Sequence, residues 1–405
     1  MLLLATMAII ISALEALRFI TPSLCGFTIP SYCIAEAVLF TLLLAVVITP
    51  DLRFKRILAI LCVEMAFSNM VNKPAVFFES YPRLGFFVLM IAFLSPLIGN
   101  QQLKTARHVA WKALIVGLLV LLYVSFILYI GYLIEIAPSS LYSFRGLAGH
   151  GNMMGVICAF SLILSFWQLC SSNKITWRLI FWALTLLIAL LMLISTGSRS
   201  SNLGTVVAII VISCLTINRQ TVYKIGGIMA GMVLIVVAEV SFGGAKAIIH
   251  KNEIARNNNS LTYSRDNLWA DRLEEFKESP ILGIGFAAAT HSTPYVYTND
   301  NNSYVESAID NPITDNVEPG SSWLSLLSNT GLCGALLFLW FMFELSKKLW
   351  RSYKIKIVES IFYIGLLAFL IVQGCFEGWL LYGGSLTFFI FWLLTSRIDN
   401  LKPVS

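Results

Sequence analysis

Apolar windows of membrane-crossing length follow one another along almost the whole chain, and one long polar stretch interrupts them. About 20 apolar residues in a helix, at 1.5 Å each, cross a hydrocarbon layer of about 30 Å. Twelve windows fit: 2–17, 33–49, 57–72, 84–99, 110–134, 152–170, 177–195, 202–217, 225–242, 322–344, 357–376 and 380–396. Charged residues make up only 12% of the 405, against about 25% in soluble proteins. That is too few to cover a globule, and the mean hydropathy is +0.79. A soluble enzyme and a disordered chain are excluded. Continuous apolar runs, in place of alternating residues, exclude a transmembrane β-barrel. The expected fold is an all-α polytopic membrane protein of about 12 transmembrane helices.

Basic residues give its orientation. Sixteen Lys and Arg, from Arg53 to Lys402, fall on one set of connections. Only Arg18, Lys73, Arg83, Arg145 and Arg199 fall on the short loops of the other set. The positive-inside rule then places both termini in the cytoplasm. The net charge of +6 needs no nucleic-acid partner. The first window has no basic residues before it and reads as a retained span. The eight cysteines form no C-x-x-C pair. Most lie in apolar runs as small buried residues, and a Cys25–Cys33 disulfide stays open.

Three regions result: helices 1–9 over residues 1–242, an extracytoplasmic loop over 243–321, and helices 10–12 with a short tail over 322–405. Loops beyond about 15 residues are usually functional or disordered. Within the large loop, residues 264–279 set Leu268, Trp269, Leu273 and Phe276 at helical spacing. An amphipathic helix lying on the membrane surface is predicted there, ended by Pro280 and Gly283-Ile284-Gly285.

Few charged residues lie on the outer side. Arg199 stands in Thr196-Gly197-Ser198-Arg199-Ser200-Ser201, between two apolar windows. Arginine at a membrane boundary is costly without an anionic partner. Small neighbours, Ser198 among them, let backbone N–H groups converge on a phosphate beside it. Snorkelling to lipid headgroups is the alternative. Arg265 and Arg272, two helical turns apart, share a face that suits a diphosphate or pairs with Asp266, Asp271, Glu274 and Glu275. Arg145, His150 and Asn152 sit in a glycine-rich approach to the sixth window and suit substrate hydrogen bonding. No other histidine supports His150 as a metal ligand. Glu318 precedes Ser321 and Ser322 at the tenth window, where a carboxylate can take a proton from a sugar hydroxyl. Asp310 and Asp315 compete with it. Glu377 is the one charge between the last two windows, and such an acid suits an arginine or a substrate. There is no Walker loop, G-x-S-x-G or H-E-x-x-H pattern.

Thr196–Ser200, Ser264-Arg265 with Trp269, Ser279–Gly285, Ser321–Leu324 and Asn329–Gly334 come in an order that resembles the bacterial O-antigen ligase and polysaccharide polymerase family. The Gly149–Gly155 stretch is similar too, and the resemblance covers about residues 140–395. It implies a GT-C-type membrane glycosyltransferase of the bacterial inner membrane, moving glycan from an undecaprenyl diphosphate carrier to an acceptor hydroxyl on the outer face. Arg199 and Arg265 match arginines taken to hold the donor diphosphate. The lipid diphosphate leaves by itself, so the resemblance implies neither a metal nor a cofactor. Ligases of the family carry a His-Asn pair where this chain has Gly320-Ser321. That departure favours a repeat-unit polymerase, with Glu318 as substitute base. O-antigen ligase is the second reading. A lipid-linked sugar flippase or transporter is the third, kept open by Glu64 in an apolar window. A chain-length regulator and a flippase are the expected partners, beside the lipid-linked oligosaccharide and the bilayer.

Overall fold

A computed structural model of the protein describes residues 53–74, 80–133, 144–148, 150–171, 177–216, 226–228, 231–232, 263–290, 320–381, 383 and 385–401. The windows 2–17 and 33–49, most of 225–242, and Cys25, Cys33, Asp310, Asp315 and Glu318 lie outside them. The described helices are α1 (Arg56–Asn72), α2 (Ser80–Leu94), α3 (Gln101–Leu133), α4 (Gly151–Ser171), α5 (Trp177–Ser195) and α6 (Arg199–Thr216). They continue with α7 (Tyr263–Glu278), α8 (Ser322–Lys354), α9 (Val358–Phe376) and α10 (Leu386–Asp399). Six of them, α3 to α6 with α8 and α9, are long and apolar enough to cross a membrane. The chain is a multi-pass, all-α membrane protein, and a two-residue β bridge between Arg53–Phe54 and Ile98–Gly99 is its one sheet pairing among the described residues.

Lipid is as apolar as leucine, so helices here associate through close packing more than through the hydrophobic effect. The seam between α6 and α9 shows it. A Cβ on Gly365 would meet Ile212 at 2.5 Å, and one on Gly204 would meet Phe369 at 2.8 Å. A Cβ on Gly155 of α4 would come 2.8 Å from Ser201 of α6 and from Ser198 just before it. Small residues thus draw α4, α6 and α9 together, and α4 is buried along nearly its whole length. At one end this gathers the start of α4, the start of α6 and the end of α9. At the opposite end Lys55, Lys348 and Asp399 form an ion cluster. Arg107, expected among the solvent-facing loop cations, is buried there. It donates to the carbonyls of Ala92, Phe93 and Ile98, which satisfies the open C-terminus of α2.

Helix α8 is broken. Gly331 has φ 59 and ψ −161, and the regular i→i−4 bonds of this turn are lost. Residues 280–285 replace them. The N–H groups of Leu332 and Cys333 donate to Pro280 O (2.9 Å) and Ile281 O (3.1 Å). The freed carbonyls of Ser328 and Asn329 accept from Ile284 N (2.8 Å) and Gly285 N (3.1 Å). Gly331 lies nine residues into α8, so the segment reaches about 14 Å down the helix. Part of the large polar stretch therefore enters the bundle, where an outer loop is expected from sequence. Ser68 of α1 donates to Leu282 O (2.6 Å), and Asn69 Oδ1 accepts from Phe286 N (2.5 Å). Glu64, one turn below Ser68, faces the same break. A Cβ on Gly334 would lie 2.5 Å from its Oε2.

Helix α7 forms where predicted, and its buried face keeps Leu268 with Trp269 and Phe276 half-buried, but takes in Arg272 and Glu275 in place of Leu273. Leu268 (5% exposed), Arg272 (2%) and Glu275 (0%) point inward, whereas Leu273 is 43% exposed. The ion pair of Arg272 and Glu275 (2.9 Å) makes this polar face compatible with burial. Their other contacts reach the inserted segment: Arg272 donates to Ala288 O (3.4 Å), and Glu275 Oε1 accepts from Thr290 N (3.0 Å).

A methyl group at Gly283 or Gly331 would lie 2.3–2.4 Å from backbone atoms of the opposing segment, at positive φ in both cases. No side-chain rotation relieves that. Gly283→Ala and Gly331→Ala are each expected to destabilise the fold by more than about 2 kcal/mol. A thermal shift of the detergent-solubilised protein measures this, and an unchanged midpoint contradicts the tight docking.

Candidate functional site

At the end where α4, α6 and α9 converge, Glu377 occupies the centre. It follows α9 in extended backbone (φ −134, ψ 136), and its N–H donates to Gln373 O at 3.0 Å. Its carbonyl accepts from Ser322 N (3.1 Å) and Ser322 Oγ (2.6 Å). The carboxylate is only 4% exposed. Its Oε1 accepts from Asn152 Nδ2 of α4 at 2.9 Å and from Arg265 Nη2 of α7 at 3.1 Å. Three elements distant in sequence therefore meet on one oxygen. A buried carboxylate requires such partners, because an unpaired charge away from water is far costlier than a paired one.

Ser321 and Ser322 start α8 and lock it to this corner. Ser321 is the N-cap, accepting from Leu324 N, and it also donates to Gly374 O at 3.2 Å. Ser322 Oγ accepts from Leu380 N at 3.2 Å. The carbonyl of Gly320 accepts from Trp269 Nε1 (3.4 Å), one turn along α7 from Arg265. The chain position of Glu318 is two residues upstream, outside the described residues.

On the other side of Glu377, Ser198 caps α6. Its Oγ lies 2.9 Å from Ser201 Oγ, and Ser201 donates to Gln373 Oε1 at 3.4 Å. Arg199 is the first residue of α6 and is half-buried. A cation at a helix N-terminus opposes the helix dipole by about 0.3–1 kcal/mol. An anion placed there interacts favourably with both the guanidinium and the open N–H groups.

Asn152, Arg265 and Ser322 thus each contact Glu377, and Ser321 stands beside them through Gly374 O. Ser198 joins them through Ser201 and Gln373, with Arg199 beside it. Arg145 and His150 lie exposed on the short stretch leading into α4, and Asn152 N–H donates to His150 Nδ1 at 3.2 Å. Arg272 stands apart from this group in its buried pair with Glu275, although it shares a helix with Arg265. Ser201 and Gln373 were not singled out from sequence. The signal for Gln373 was available: it is a polar residue in an apolar run, one turn before Glu377. Among the described residues no three His, Cys, Asp or Glu side chains gather as a metal site needs.

The fold is a helical membrane bundle with a cationic, carboxylate-balanced cluster at one end. Residues 184–339 of this chain match a protein-family model described as O-antigen ligase. Over that stretch, which is less than half of the chain, the protein is similar to the O-antigen ligase family, whose members are membrane glycosyltransferase-like enzymes. A search of the curated proteins finds no match. The matched stretch contains Ser198, Arg199, Arg265, Arg272, Glu318, Ser321 and Ser322. Asn152 and Glu377 lie outside it.

Two substitutions test the geometry. Asn152→Ala removes a hydrogen bond to a buried charge, worth about 1.5–3 kcal/mol. Asn152→Asp sets a second carboxylate against Glu377 and is expected to lower the melting temperature further than Asn152→Ala. Equal midpoints for the aspartate variant and wild type contradict the contact. For the other pair, Arg272→Met alone is expected to cost about 3–5 kcal/mol by stranding Glu275, and Arg272→Met with Glu275→Leu to recover much of it. Additive losses in a denaturation series contradict the pairing.

Proposed function

We propose that this protein is a polysaccharide repeat-unit polymerase acting at the outer face of the bacterial plasma membrane. It transfers glycan from an undecaprenyl diphosphate carrier to a hydroxyl of an acceptor sugar on a second lipid-linked unit. The observation that carries this reading is Arg265, a guanidinium only 14% exposed and held against Glu377 at the end of a membrane bundle. Guanidinium groups match phosphate oxygens in pairs. Arg199 is the second cation of the proposed donor site, at a helix N-terminus that also favours anions.

Both arginines stabilise charge that builds on the diphosphate as the anomeric bond breaks. The acceptor hydroxyl attacks from the opposite side, with inversion. Arg145, His150, Asn152, Ser198, Ser321 and Ser322 supply hydrogen-bonding groups around this point. Arg272 serves one step removed, by seating α7 on the inserted segment. The Lys-poor connections lie at the site end and the Lys-rich ones at the other end, which supports an extracytoplasmic site with cytoplasmic termini. A flippase delivers the lipid-linked unit and a chain-length regulator limits growth.

Gly320, where ligases of the resembled family carry histidine, favours polymerisation. O-antigen ligase is the competing reading, supported by the description of the matched family model. A deletion strain separates the two. Loss of long chains, with single repeat units still attached to the acceptor lipid, supports a polymerase. Long chains left on the carrier indicate a ligase.

Arg199→Ala and Arg265→Ala are each expected to cut chain growth by about 100-fold or more with the protein still present in the membrane. A polymer ladder on gels reads this. A normal ladder in both variants rejects the donor site.

A further inference from the structure

The Arg265–Glu377 pair joins two groups that the proposed reaction needs apart. Arg265 is the cation assigned to the donor, and the carboxylate now on it stands where a phosphate oxygen binds. Three hydrogen bonds fix the backbone of Glu377: its N–H to Gln373, and its carbonyl to Ser322 N and Ser322 Oγ. The side chain is instead held by Asn152 and Arg265. Rotation of its side-chain torsions moves the carboxylate by a few ångströms while the backbone stays in place.

We infer that Glu377 is a general base masked by Arg265 in the donor-free protein and released by the donor itself. This rests on the polymerase reading above, and it places the base on the α9–α10 connection and not on the loop carrying Glu318. The diphosphate carries more negative charge than a carboxylate and offers paired oxygens to the guanidinium, so it displaces Glu377 from Arg265. The freed carboxylate keeps Asn152 as a hydrogen-bond donor and stands at the edge of the anomeric centre. The acceptor oxygen forms a bond to the anomeric carbon and its proton passes to Glu377. The bond from that carbon to the phosphate oxygen breaks, and its electron pair leaves with the lipid diphosphate. Solvent then removes the proton from Glu377. The pairing keeps both buried charges balanced until a donor is bound.

Full-length Glu377→Gln protein tests this with two readouts. One is binding of undecaprenyl diphosphate to purified protein, and the other is the rate of chain growth in membranes holding the endogenous lipid-linked units. The glutamine keeps the size of the side chain and loses its charge and its basicity. Binding is expected to equal or exceed that of wild type, because the competitor for Arg265 has gone. Chain growth is expected to fall by about 100-fold or more. Growth within about threefold of wild type overturns the role of Glu377. So does a fall in binding that matches the fall in growth, because that marks a purely structural ion pair. If Glu377→Gln does not fold, Glu377→Asp takes its place. Bound carrier with growth reduced at least about tenfold supports the base, and wild-type growth overturns it. Arg265→Ala is measured alongside. If it binds the carrier as wild type does, the donor site itself is wrong. If it loses the carrier while Glu377→Gln grows chains normally, only the base assignment fails.

Discussion

No backbone group can be left without a partner in the interior of a membrane bundle, because water is absent and each loss costs several kcal/mol. Helix α8 breaks at Gly331, and that break is possible only because Pro280–Gly285 supplies the hydrogen bonds that the helix gives up. Two glycines, Gly283 and Gly331, let the two backbones meet. The same contact fixes where α7 ends, since Glu278 is two residues before Pro280. Through α7 it sets the position of Arg265. A polar connection is thereby turned into a rigid part of the bundle, and the site inherits that rigidity.

The site is built to hold charge without stranding it. Glu377 is almost fully buried, yet Asn152 and Arg265 meet its oxygen and Ser322 holds its backbone. Buried ion pairs seldom add much stability over apolar packing, and breaking one from one side is costly. Retaining such a pair makes sense where one member has work with a different partner. The small-residue seams between α4, α6 and α9 serve that arrangement, because they bring Asn152, Ser198 and Gln373 to the same end of the bundle.

Apolar run length made the membrane class legible, and among the described residues six helices are long and apolar enough to cross a membrane. The loop helix was legible from its spacing, but its inward face only in part. Period alone pointed to Leu268, Trp269, Leu273 and Phe276, whereas an internal ion pair let Arg272 and Glu275 go inside. Glu377 and Asn152 stood out as isolated polar residues at window ends. Their pairing across 225 positions is a tertiary fact that no local pattern contains. The docking of Gly283 on Gly331 was hidden for the same reason: each glycine reads as a turn or a helix interruption until the other is placed against it. Small residues in α4, α6 and α9 showed no periodic repeat strong enough to announce their seams.

A structure determined with undecaprenyl diphosphate bound tests most directly whether one cluster both grips the carrier and unmasks a base. The diphosphate is expected between the guanidinium groups of Arg199 and Arg265, with Glu377 Oε1 beyond hydrogen-bond reach of Arg265 and still in contact with Asn152. A carrier bound elsewhere, with the 3.1 Å Arg265–Glu377 contact intact, would contradict it.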